Sequence, residues 1–224
     1  MELAEGASLE QELDAEVAAR KAGRGPLRMI LSEARIKEVA VSLLQGLACF
    51  HLQGLVHMDI KPANVLRRAC GQLMLADFDC MRQHDASGHV ETCAGTPAFM
   101  APEVRVGFTG ERTRRTSKLD TYSVGALLAC CASYHGGTSG LAKLNSYLRC
   151  GAALPSFVPA ALQAFIDELV AEDAEQRPTV AEALRHPYLA PAPPPRPQHL
   201  ATSMEKKRRA AAVKAANAAI PGWC

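Results

Sequence analysis

The chain has 224 residues, 48% of them apolar, and a formal net charge of +2. That length supports one substantial domain with a real core, plus a tail, and the eight cysteines lack the spacing of a disulfide-stapled miniprotein. Charge is uneven: from Pro191 onward six basic residues face one acid, so the tail carries +5 and residues 1–190 carry −3, which argues against a nucleic-acid-binding face on the body.

The opening stretch "MELAEGASLEQELD" is acidic and has no apolar h-region, so no signal peptide is expected. The longest apolar run, "VGALLACCA", is too short to cross a bilayer. The cysteines then read as reduced thiols. A soluble, non-secreted protein of the cytoplasm or nucleus is expected, with neither membrane nor nucleic acid as a partner.

In chain order, "SLEQELDAEVAARKAG" predicts a polar helix sustained by propensity and ending at Gly23. Residues 32–51 set Ile36, Val39, Ala40, Leu43, Leu44 and Leu47 on one helical stripe, with Ser32 as N-cap. "LMLADFD" reads as a strand ending in acids. "LDTYSVGALLACCA" predicts a helix buried on most faces. Leu162, Phe165, Ile166, Leu169 and Val170 form another stripe. "RPTVAEALRHPYL" carries a capping box, Thr179 with Glu182, and a helix stopped by Pro187. "PAPPPRP" then opens a Pro-rich spacer leading into a basic segment. No internal repeat is present.

Between Val56 and Glu103 the polar clusters gather: "HMDIKPANVL", then "LADFDC", then "GTPAFMAPEV", followed by "KLDTYSVGALLA" and "EQRPTVAEALRHPYL". In this order and spacing the set resembles the large lobe of a eukaryotic-type, Ser/Thr-directed protein kinase, over residues 1–189. The resemblance implies a mainly α (α+β) fold, helical with a few short strands, and a disordered tail over 190–224. It also implies ATP and Mg2+ as cofactors and a protein Ser/Thr hydroxyl as substrate. Phosphoryl transfer needs an oriented hydroxyl, a base and cations spread over the phosphates. By resemblance Asp59 is the base, Lys61 offsets charge on the transferred group, and Asn64 and Asp77 are the magnesium ligands. Lys61 and Thr96 stand where Ser/Thr-directed members carry Lys and Thr. Glu103 with Arg177 matches a buried ion pair, and Asp120 matches a residue that holds the catalytic loop.

The sequence departs from that pattern in four places. Met58 replaces an arginine that pairs with a phosphorylated activation-loop residue, here Thr92, so phosphorylation of Thr92 is expected to do little to order the loop. Asp79 replaces a glycine, where an aspartate reaches the backbone angles at some cost. No G-x-G-x-x-G occurs, "GRGPLR" lacking the third glycine, and the lysines before Asp59, Lys21 and Lys37, fall in helical contexts. "MELAEGASL" looks like the hinge between two lobes, so the small lobe is expected to be missing and the face it covers to be apolar, self-associating or covered by a partner. The segment between Ser133 and Pro159 is short and lacks Pro-Pro-Phe, which implies a reduced substrate-docking region.

Weaker signals have plainer readings. Cys80, His84, His89 and Cys93 match no zinc spacing. His57 reads as a packed scaffold residue. "PPPRP" fits an SH3 or WW domain but is more commonly a spacer, and "KKRR" is more often a solvated basic patch than a nuclear signal. The alternative function is a non-catalytic, pseudokinase-type binding or scaffold module.

Overall fold

A computed structural model describes residues 6–23, 28–91, 95–106, 115–133 and 137–190. Thr92, Cys93, most of the hinge-like opening, the center of "GRGPLR" and the tail from Pro191 lie outside the described residues.

Helix α1 (Leu9–Gly23) forms where the polar sequence predicts one, but packing as well as propensity holds it. Leu9, Leu13 and Val17 recur every fourth residue and are all buried. Helix α2 (Glu33–His51) buries its whole predicted stripe, and the Ser32 side chain accepts the Arg35 N–H to cap it.

Strands β1 (Leu55–Val56) and β4 (Arg82–Gln83) pair antiparallel, as do β2 (Val65–Arg67) and β3 (Leu73–Leu75). A 3₁₀ turn over Pro62–Asn64 leads directly into β2. The strand expected over "LMLADFD" stops at Leu75, before the acids, and the last cross-chain bond runs from Ala76 N–H to the Asn64 carbonyl.

The second half is helical: α3 (Pro102–Val106), α4 (Lys118–Ser133), α5 (Gly137–Cys150), α6 (Ala160–Leu169) and α7 (Val180–Ala183). Every residue of α4 from Leu119 to Ser133 is buried, between α2 and α6. Gly125 sets the α4–α6 approach: a Cβ there would lie 2.6 Å from Val170 Cγ1 and 2.7 Å from Leu169 Cβ. The last carbonyls of α4 are satisfied by the chain entering α2, with Ile30 N–H donating to Ala132 O and Leu31 N–H to Cys131 O.

The Thr179–Glu182 capping box is present, yet α7 lasts a single turn and ends at Ala183. Pro187 does not stop that helix; it opens a separate 3₁₀ turn, Pro187–Leu189, capped by His186 accepting the Tyr188 N–H. Among the described residues the large apolar side chains most exposed to solvent are those of Leu52 and Phe78. No described helix is long and apolar enough to cross a membrane.

Candidate active site

The loop His57–Asn64 is built from beneath. Asp120, on the first turn of α4 and fully buried, accepts the His57 N–H at 2.9 Å and the Met58 N–H at 2.8 Å. His51, at the end of α2, sits 2.8 Å from the same carboxylate. These bonds hold Met58 at φ 73°, a left-handed conformation that costs a non-glycine residue about 1–3 kcal/mol. Its side chain is buried, so an apolar residue suits the position sterically. Gly95 (φ 121°) lies against this loop, where a Cβ would come within 2.6 Å of the Met58 carbonyl oxygen.

On top of this base the predicted polar residues converge. Thr96 Oγ1 donates to Asp59 Oδ1 at 2.7 Å, and Lys61 Nζ donates to Asp59 Oδ2 at 2.7 Å. Lys61 Nζ also reaches Thr96 Oγ1 at 3.1 Å. Asn64 Nδ2 donates to the Asp59 carbonyl at 2.9 Å and to Oδ2 at 3.1 Å. Burial alone would raise the Asp59 pKa, but hydrogen bonds from Lys61, Thr96 and Asn64, with the Lys61 charge, outweigh it and hold the carboxyl below its ordinary value. It is therefore an anion at neutral pH, able to accept a proton.

Asp77 joins this cluster through the backbone. Val65 pairs with Leu75, and Ala76 N–H donates to the Asn64 carbonyl at 2.9 Å, so Asn64 and Asp77 emerge at the same end of the β2–β3 hairpin. Asp77 is exposed, has φ 62°, and makes no hydrogen bond or ion pair with another described residue. The Asn64 amide nitrogen is spent on Asp59, which leaves its oxygen as an acceptor. One outward carboxylate beside one amide oxygen is a hard-oxygen donor set of the kind Mg2+ takes together with phosphate oxygens and waters, so these residues fit the ion.

The expected cost of an aspartate in place of glycine falls elsewhere than at Asp79. Among described non-glycine residues positive φ occurs at Met58 and Asp77, and Asp79 is free of it. Phe78 meets His57 and Phe50 edge-on, with centroids 5.5 Å apart in each case. His57 is fully buried, its Nδ1 accepting the Asp59 N–H, in keeping with a scaffold residue. The Glu103–Arg177 pair is bidentate, with both bonds 2.7 Å, and Arg177 is 1% exposed. Such a pair costs about 3–5 kcal/mol to break on one side.

The Cys80–His84–His89 region holds no metal-ligand cluster among the described residues. His84 Nδ1 bonds the Asp85 carbonyl and His89 Nδ1 accepts the Arg115 N–H. The six described cysteines are unpaired thiols.

One cluster was not anticipated. Glu12 of α1 accepts from Arg35 Nε and Nη2 at 2.9 Å each and from Arg67 Nη2 at 2.6 Å, and Arg35 also pairs with Glu38 at 2.7 Å. These partners lie 23 and 55 residues from Glu12, and no local pattern separates it from Glu10 or Glu16.

The protein kinase domain family matches residues 1–189. The chain is 33% identical over 169 residues to the serine/threonine-protein kinase PkaA of Streptomyces coelicolor, covering 72% of this chain and 30% of PkaA. It is 30% identical over 172 residues to human serine/threonine-protein kinase PAK 4, covering 74% and 28%. With mitogen-activated protein kinase kinase kinase 1 of Arabidopsis thaliana it shares 32% over 177 residues, covering 74% and 28%. The chain belongs to the eukaryotic-type serine/threonine protein kinase family. It spans less than a third of the length of these curated relatives.

Proposed function

We propose that this chain carries the phosphoryl-transfer residues of an ATP- and Mg2+-dependent serine/threonine protein kinase. The reading rests on one observation above the others: the Asp59 carboxylate sits at the center of hydrogen bonds from Lys61, Asn64 and Thr96. In it, Asp59 orients and deprotonates the hydroxyl of a protein serine or threonine, at the oxygens that Thr96 and Lys61 now occupy. Lys61 swings from Asp59 toward the transferred phosphoryl and offsets its charge. Thr96 holds Asp59 and Lys61 in register, and Asn64 and Asp77 hold the magnesium ion. Held there, the ion would neutralise charge on the phosphate groups. Residues 1–189 act as the hinge and large lobe, with nucleotide-covering strands supplied from outside this sequence. Residues 190–224 are an appended tail whose "PPPRP" offers an SH3 or WW contact.

The test is a titration of the chain with ATP and Mg2+, beside an Asp77→Ala variant, followed by phosphate transfer to a mixed Ser/Thr peptide pool with Asp59→Asn as control. Binding lost in Asp77→Ala and transfer lost in Asp59→Asn are the expected results. The second reading, a non-catalytic binding module, draws on Met58 and on Asp79. Absence of nucleotide binding in both proteins would favour it.

A further inference from the structure

The metal-ligand hairpin is small. Strands β2 and β3 have three residues each, and a two-stranded ribbon of that size is not stable by itself in water. Its β3 side rests on α2, where Leu75 is buried and reaches within 3.7 Å of a Cβ built at Gly46. Its β2 side would be an open edge, and α1 with the chain before it closes that edge. Arg67 N–H donates to the Ala7 carbonyl, Ser8 bridges to Leu66, and a Cβ at Gly6 would collide with the Arg67 carbonyl oxygen.

Glu12 completes the closure. Its Oε2 takes a 2.6 Å bond from Arg67, the last residue of β2, while its two oxygens take two bonds from Arg35 on α2. Arg35 bonds lower the Glu12 pKa most; partial burial opposes them, and Arg67 adds to the lowering, so the group is an anion held between two guanidiniums. Arg35 keeps Glu38 as a second partner. The Arg67 guanidinium has Glu12 as its described side-chain partner. Removing the Glu12 charge therefore loosens the hold on the Arg67 side chain at the end of β2 and leaves Arg35 paired with Glu38.

We infer that Glu12 is a positioning residue for the metal site: through Arg67 it fixes the hairpin whose open end presents Asn64 and Asp77, and so sets the affinity for magnesium–nucleotide. This rests on the reading of Asn64 and Asp77 as the magnesium ligands. Only Val65 and Leu66 separate Arg67 from Asn64, and Ala76 N–H carries the same restraint across the ladder to Asp77.

The test titrates the full chain with Mn2+ in the presence of ADP, read by electron paramagnetic resonance, for wild type, Glu12→Gln, Arg67→Met, Arg67→Lys and Glu16→Gln. Amide exchange of Arg67 and Ala76 is followed in the metal-free proteins. Networks of this kind modulate distant binding by about 3- to 10-fold, so Glu12→Gln and Arg67→Met are expected to raise the Mn2+ Kd by that factor. Both variants should speed exchange at the two amides. Arg67→Lys should recover part of the affinity, and Glu16→Gln should match wild type. A purely structural Glu12 would lower the number of competent sites and leave their Kd unchanged, and that result overturns the inference. Unchanged exchange in the hairpin overturns it as well. A wild-type chain that binds no Mn2+ under these conditions overturns the metal-site reading itself, and the inference with it.

Discussion

The loop around Met58 and the turn around Asp77 each place one non-glycine residue in the left-handed region, at φ 73° and 62°, yet they are held by opposite means. Met58 is buried, and its N–H and that of His57 are fixed by a buried carboxylate on the central helix. Asp77 is exposed, its side chain bonds to no other described residue, and it inherits its place from a three-residue ladder. Backbone strain at the first position is locked in by the core. At the second it is borne by a residue type that tolerates αL, next to a hairpin that needs support. Asp59 thus follows a loop fixed by a buried carboxylate of the central helix, whereas Asp77 follows a short hairpin.

The hardest blow to the locked side is Asp120→Asn. It turns a fully buried acceptor of several bonds into a group with a misplaced donor, and a loss of about 3–5 kcal/mol in urea-induced unfolding is expected. A loss under about 1 kcal/mol would show that the loop does not depend on this anchor. Met58→Gly sets strain relief against lost burial. Removing the buried side chain costs about 1.5–3 kcal/mol, strain relief returns part of it, and a net loss of about 1 kcal/mol is expected by the same measurement.

Acid titration sharpens the contrast further. Asp59 and Glu12 both have pKa values below their ordinary range, so the stability they add is present above about pH 4–5 and is lost as pH falls through the lower, folded-state values. Unfolding free energy measured between about pH 5 and pH 2 should fall less steeply in Glu12→Gln than in wild type. Equal slopes would mean that Glu12 is not held ionised by its arginines. The smallest effect belongs to the open side: Asp77→Asn should change stability by less than about 0.5 kcal/mol, because this exposed side chain makes no hydrogen bond or ion pair among the described residues.

Helices α2, α4 and α6 were legible because their apolar residues recur in dense stripes or fill every face, and the capping box at Thr179 was legible because it is local. So was the cluster around Asp59, whose Lys61 and Asn64 lie within five residues of it. What escaped is nonlocal or sparse. The buried stripe of α1 is only Leu9, Leu13 and Val17, and the helix packs on the Pro62–Asn64 turn and β2, partners distant in sequence. Beyond the end of α7 the chain turns so that Tyr188 stacks on Phe165 of α6, a contact between residues 23 apart in sequence. The left-handed residue of the "DFD" turn is the first aspartate, and only the ladder ending at Ala76 reveals that. Glu12 meets its partners across 23 and 55 residues, which no spacing rule encodes.

The adjacent thiols of α4 have a practical use. Burial, with the acids Glu10 and Asp14 adding to it, pushes Cys130 up to about 12, and Cys131 is raised by burial as well, whereas Cys49, Cys70 and Cys150 face solvent. A slow alkylating reagent should label those three within minutes and spare the helical pair until the whole domain opens. Mass spectrometry of the delayed adducts would then report the free energy of global opening of the native protein, without denaturant and without any engineered probe.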